Sequence, residues 1–191
     1  MKIDIIGASN AALSFYRDVT GAQRITTEVN LGSVLSEKMD CPVSSFIAFT
    51  IAKASASEKS YVDCAMDVQG GDILIVQGAG NDAGVRVPMG SAHSENPHEY
   101  FGALNCIAKQ CKSKYKAIIF TTGFNALHLS DYCAYNRAIL SVAEKHKLAC
   151  IDFFQHPAFS DSAILPDGEH MREDGLCLYA DTLIQKINEL L

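Results

Sequence analysis

Ile3-Asp4-Ile5-Ile6-Gly7-Ala8-Ser9-Asn10 opens the chain with a short apolar run that stops at a glycine, a small residue and a serine. Four more runs of this kind follow, Phe46 to Ile51, Ile73 to Gln77, Ala117 to Thr121 and Leu148 to Asp152, separated by longer stretches of helical periodicity. Short runs with little apolar–polar alternation are what strands covered on both faces require. Strands alternating with helices predict right-handed βαβ units. The fold class is therefore α/β, a three-layer α/β/α sandwich built on a five-stranded parallel sheet, and the flavodoxin-like order 2-1-3-4-5 is the expected arrangement.

The intervening segments support that reading. Tyr100, Phe101, Leu104, Ile107 and Ala108 recur at helical spacing within Pro97 to Lys112, and Tyr132, Tyr135, Ile139, Leu140, Val142 and Ala143 do so within Asp131 to Lys147. Leu176, Ala180, Leu183, Ile184, Ile187 and Leu191 predict an amphipathic closing helix over Asp174 to Leu191. Its polar face is not rich in Lys or Arg, which argues against a membrane-surface helix. Leu31 to Met39 reads as a short helix, and Val19 to Glu28 as a strand or a loop. Two long irregular pieces, Ala83 to Asn96 and Phe153 to Arg172, follow predicted strands at the carboxyl edge, where open α/β sheets bind ligands.

With 191 residues, 48% of them hydrophobic, the chain suits one domain over 1–191 with a continuous core. Its formal net charge of -6 and scattered basic residues give no footprint for nucleic acid. No run approaches the roughly 18 apolar residues of a membrane span, and the start lacks a signal-peptide pattern, so the chain reads as cytoplasmic. Seven cysteines with no CxxC pair are expected to be reduced and buried. The histidines form no HExxH or similar spacing, so no metal is expected.

Three signals carry chemistry. Ser9 follows the first strand, Gly78-Ala79-Gly80-Asn81-Asp82 closes the third, and Ile164-Leu165-Pro166-Asp167-Gly168-Glu169-His170 precedes the last helix. Asp167, three residues before His170, is spaced to accept from one ring nitrogen and leave the other facing outward, which makes the imidazole a general base. Taken singly, each has a plainer role: a helix cap for Ser9, turn chemistry for Asn81-Asp82 and for Asp167-Gly168. In the order 2-1-3-4-5, however, the first and third strands are neighbours whose helices leave to opposite faces, so Ser9 and Asn81 meet in the crevice between them. The loop with Asp167 and His170 follows the fifth strand and crosses the same edge.

These blocks, in this order and over nearly the whole chain, resemble the SGNH hydrolase superfamily, the GDSL-type esterases and lipases. The resemblance implies Ser9 as nucleophile, His170 as base and Asp167 as the group that orients it. It implies an oxyanion hole formed by the side-chain amide of Asn81 and the backbone N–H groups of Ser9 and Glu58. The chain departs from the family pattern at three places. Ala8 stands where the family has an acid, Ala79 where glycine is frequent, and Lys53 to Glu58 is the weakest block, with Glu58 in a glycine position. A backbone N–H remains available at Glu58, because only proline lacks one.

By the same resemblance the substrate is a short acyl ester, such as an acetyl ester, of a carbohydrate or small alcohol. Arg86, Met89, His93 and Phe154, on the two long loops, are expected to line its pocket. An acyltransferase acting on a sugar hydroxyl and a degenerate binding module are alternatives on the same fold. A dinucleotide-binding module is a further one, since Gly7 to Ala12, with Glu28 following 21 residues after Gly7, echoes that fingerprint. The middle glycine that lets backbone approach a pyrophosphate is absent, and no cofactor is expected.

Overall fold

In chain order the strands are β1 (Ile3–Gly7), β2 (Phe15–Arg17), β3 (Arg24–Thr26), β4 (Val43–Ile47), β5 (Gly71–Val76), β6 (Tyr115–Thr121) and β7 (Ala149–Ile151). Five of them join in one all-parallel sheet ordered β4-β1-β5-β6-β7, while β2 and β3 pair antiparallel as a separate hairpin. Counted among the five, this is the order 2-1-3-4-5. The structure, a computed structural model, describes residues 1–12, 15–17, 24–26, 29–55, 57–78, 80–124, 130–160, 163–166 and 170–191, with backbone alone at 12, 15–17, 24–26, 130 and 131. Most of the segment Val19 to Glu28 lies outside the described residues, and β3 is the part within them.

The helices are α1 (Ser9–Ala12), α2 (Leu31–Met39), α3 (Tyr61–Asp67), α4 (Asn81–Gly84), α5 (Tyr100–Cys111), α6 (Ser130–His146) and α7 (Glu173–Leu190). Side-chain alternation along the strands divides the core in two. Ile6, Leu74, Val76, Ile118 and Phe120 face the layer of α3, α5 and α6, where Tyr61, Leu104, Ile107 and Val142 are buried. Ile3, Ile5, Ile73, Ile75 and Ile119 face α2 and α7 and pack on Leu35, Leu176, Leu183 and Ile187. Among the described residues no helix is long and apolar enough to cross a membrane.

Local chemistry explains the boundaries. Helix α2 begins at a reciprocal cap: Asn30 Oδ1 accepts from Ser33 N at 2.9 Å, and Ser33 Oγ accepts from Asn30 N at 3.0 Å. Helix α3, absent from the periodicity reading, starts with the same device, Ser60 with Asp63. That Ser-x-x-Asp spacing is a signal in the sequence that could have found it. The second sheet strand is Val43–Ile47, not Phe46 to Ile51. The ladder ends with Ala48 N donating to Gly7 O at 3.1 Å, where β1 also ends, and beyond it Ile51 N and Ala52 N donate to the carboxylate of Asp82 at 2.8 and 3.0 Å.

Candidate active site

A cleft of about 60 Å³ lies at the carboxyl ends of β1, β5 and β6. Ser9, Asn81 and His170 all line it, although they stand at opposite ends and the middle of the chain. The topology is the reason. Neighbouring strands β1 and β5 run in register from Ile3↔Ile73 to Ile6↔Val76, so their following turns start at one level. Helix α2 then packs with α7 on one face while α5 packs with α3 and α6 on the other, and the edge between them is left open.

Ser9 opens α1 directly after β1, and the turn is closed by Ala11 N donating to Ala8 O at 3.0 Å. Asn81 opens α4 after β5. Its Nδ2 donates to the carbonyl oxygen of Phe49 at 2.9 Å, which orients the amide; an amide has two such hydrogens, so one is left for the cleft. His170 stands just before α7 and is half-buried. The next residue, Met171, has its side chain in the core at 1% exposure, and its N–H donates to Asn10 Oδ1 at 3.2 Å.

The floor of the cleft is polar and buried. Tyr179 hydrogen-bonds Thr121 Oγ1 at 2.9 Å and also the side chain of Gln77. Burial pushes its phenol up to about 12, against the pull of those two bonds. Thr121 Oγ1 also accepts from Gly78 N at 3.1 Å. Gly78 is required by close approach: a Cβ there would lie 2.4 Å from the carbonyl carbon of Thr122 and 2.5 Å from Gly123 N. On the far wall Gly123 N donates to Asn136 Oδ1 at 2.8 Å, Thr122 Oγ1 donates to Asp152 Oδ1 at 3.0 Å, and Phe124 stacks on Phe159 with centroids 5.3 Å apart.

Asp82, beside Asn81, is wholly buried. Desolvation raises its carboxyl to about 6, opposed by the N–H groups of Ala52 and Ile51. It thus ties the segment after β4 to the turn that presents Asn81. From its turn-forming character alone, no reading of the sequence assigns it this part.

The other expected residues lie elsewhere. Glu58 is exposed and is not among the residues lining the cleft. Arg86 and His93 are exposed, Arg86 with a positive φ of 56°, and Met89 packs against the core. Phe154 borders a separate cavity of about 160 Å³, with Asn136, Arg137 and Asp152. Asp167 and Ala79 lie outside the described residues. In their place Gln77, Phe124, Tyr132 and Tyr179 line the cleft. Gln77 had a legible signal, an amide closing an apolar strand, and Tyr179 another, a hydroxyl on the buried stripe between Leu176 and Leu183. Among the described residues no group of three or more His, Cys, Asp or Glu is placed to hold a metal ion.

No protein-family model and no curated protein matches the sequence. Solved structures do match the fold. A Lactobacillus plantarum protein superposes with a TM-score of 0.79 at 15% identity, over 98% of this chain and 96% of its own. A GDSL-like lipase from Bacteroides ovatus gives 0.70 at 15% identity, over 98% of each chain. Axe2, an acetyl xylan esterase from Geobacillus stearothermophilus, gives 0.67 at 16% identity, over 97% of this chain and 94% of its own.

Proposed function

We propose that this chain, whose fold is that of the SGNH or GDSL-type hydrolases, is a serine esterase that removes a short acyl group from a carbohydrate or small alcohol. The observation that carries the reading is the presence of Ser9, Asn81 and His170 in one cleft. A likeness in fold to an acetyl xylan esterase supports the choice of ester, as does a cleft of compact volume with a hydroxyl and an amide in its floor.

In this mechanism His170 takes the proton of Ser9 Oγ as that oxygen bonds to the ester carbonyl carbon. The carbonyl π pair moves onto oxygen, and the oxyanion is received by the second amide N–H of Asn81 and the backbone N–H of Ser9; Glu58, outside the cleft, takes no part in this scheme. Collapse breaks the bond to the alkoxy oxygen, which leaves with the proton held by His170. Water then attacks the acyl-serine and gives a proton to His170; collapse breaks the bond between the acyl carbon and Ser9 Oγ, Oγ takes that proton back from His170, and the carboxylic acid leaves. Asp167 is the proposed partner that orients the imidazole. Gln77, Phe124, Tyr132 and Tyr179 take the substrate-lining part assigned from sequence to Arg86, Met89, His93 and Phe154.

Treatment with a fluorophosphonate, followed by peptide mapping, tests the reading directly, because the reagent modifies a serine that a neighbouring base activates. An adduct on Ser9 that disappears in His170→Ala is expected. Absence of the adduct in the unaltered protein, together with no hydrolysis of short acyl esters by it, would overturn the mechanism. Turnover that needs an added sugar acceptor would instead identify an acyltransferase.

A further inference from the structure

The serine-esterase reading requires two segments from opposite ends of the chain to be held in fixed relation, and the structure shows a bond that joins them. Met171 N donates to Asn10 Oδ1 at 3.2 Å, across 161 positions. Asn10 adjoins Ser9 and Met171 adjoins His170, so the bond acts one residue from each proposed reacting group; neighbouring Cα atoms are about 3.8 Å apart. We propose that Asn10 is a positioning residue that sets the reach from His170 to Ser9.

Each segment is otherwise secured to its own surroundings. On the serine side, Ala11 is fully buried, and its N–H closes the turn on Ala8. On the histidine side, Arg172 N donates to Ile164 O at 3.1 Å, and Gly175 packs so closely on Ile164 that a Cβ would lie 2.5 Å from Cγ2. Those contacts tie each piece to its own surroundings. Ala11 and Met171 belong to the same apolar cluster, which presses the pieces together without direction, as hydrophobic packing does. Asn10 adds the directional element, because a carbonyl oxygen accepts within a narrow range of distance and angle. Asn10 itself lines the cleft, so its side chain stands at the seam where the two pieces face substrate. Displacement of reacting groups by about 1 Å can cost on the order of 10² in rate.

The inference rests on Ser9 acting as nucleophile, and the experiment separates the two. Fluorophosphonate modification of Ser9 is timed in the unaltered protein, Asn10→Ala and Asn10→Asp, with kcat and KM on a short acyl ester, thermal midpoints, and hydrogen exchange at the Met171 amide. Asn10→Ala is expected to lower kcat and the modification rate together by roughly 10- to 100-fold, with KM within about threefold and the Met171 amide losing protection. Asn10→Asp keeps an acceptor oxygen and is expected to recover most of the rate at alkaline pH. If alanine prevents folding, Asn10→Gln serves the same comparison, since it keeps the amide but displaces its oxygen. An Asn10→Ala protein that folds and reacts at the unaltered rate overturns the proposal, and so do Asp and Ala variants that are equally slow. Failure of the unaltered protein to react at Ser9 removes the esterase reading and this inference with it, and is recognised before any variant is made.

Discussion

Asn81 commits one amide hydrogen to the carbonyl oxygen of Phe49, 2.9 Å away, and so turns a freely rotating side chain into an oriented donor. The backbone of an exposed residue, with Phe49 at 49%, thus aims the group proposed to receive the oxyanion. A donor held before reaction begins costs no reorganisation when charge develops. Asn81→Ala is expected to lower kcat by about 10²–10³ with little change in KM, the pattern of an interaction made in the transition state. Steady-state kinetics on an acetyl ester checks this; an unchanged kcat would remove Asn81 from the oxyanion hole.

Asp82 gives the protein a pH-dependent stability of definite sign. Burial raises its folded carboxyl to about 6, above the unfolded value near 4, so the folded state binds the proton more tightly. Its contribution is complete below about pH 4, declines as pH rises, and is exhausted above about 6. The loss is on the order of 2–3 kcal/mol. Urea unfolding of the unaltered protein and of Asp82→Asn at intervals between pH 4 and 7 is expected to show a decline in the former that the latter lacks. Parallel curves would show that Asp82 does not titrate in that window.

Gly78 sits where the ends of β5 and β6 leave no room for a side chain, its virtual Cβ meeting backbone rather than a side chain that could rotate away. Gly78→Ala is expected to cost about 1–3 kcal/mol, as overpacking does, and to depress activity beyond what stability explains, because Gly123 and Thr122 line the cleft. Chemical denaturation and kinetics on the same preparation measure both.

The phenol of Tyr179 ties α7 to the end of β6 through Thr121. Tyr179→Phe removes that hydroxyl and leaves Gln77 and Thr121 with fewer partners in a buried place. The expected loss is roughly 1–3 kcal/mol in unfolding free energy, read from the urea midpoint at constant slope. A neutral result would mean that the hydroxyl network contributes no net stability.

How much of this was legible in the sequence follows from the range of the forces involved. The strand order came from the alternation of apolar runs and the packing rules of βαβ units, which are local pattern plus chirality, and the sheet has that order. That Ser9, Asn81 and His170 share one cleft was legible because Ser9 and Asn81 begin helices and His170 lies in the loop leading to α7, and topology brings such positions together at one edge. The limits of β4 were not, since the apolar run continues past the end of its partner β1 at Gly7, and beyond it Ile51 N bonds to Asp82, 31 residues away. Cleft-lining side chains were missed for a related reason. Arg86 and His93 look suited to a pocket, yet loop position and a left-handed turn at Arg86 place them outward, while Gln77, the residue after β5, and Tyr179, on α7, carry polar groups whose signal is outweighed by the apolar stretches around them. Asn10 carried no signal, because the meaning of its side chain depends on a backbone N–H at the far end of the chain.

The seven cysteines are all unpaired, but only Cys41, Cys64 and Cys111 are buried as expected, the other four being half-buried; desolvation raises the thiols of Cys64 and Cys111 to about 11 and that of Cys150 to about 12. Thiols of that kind are poor nucleophiles while the protein is closed, since the thiolate is the reacting form. They therefore serve as built-in clocks. Cys64 on α3 and Cys111 on α5 time the parting of one helical layer from the sheet, and Cys41, buried with Leu31 and Val34, times the other. Alkylation followed by peptide mass would read the opening of each side separately, with no probe added to the chain.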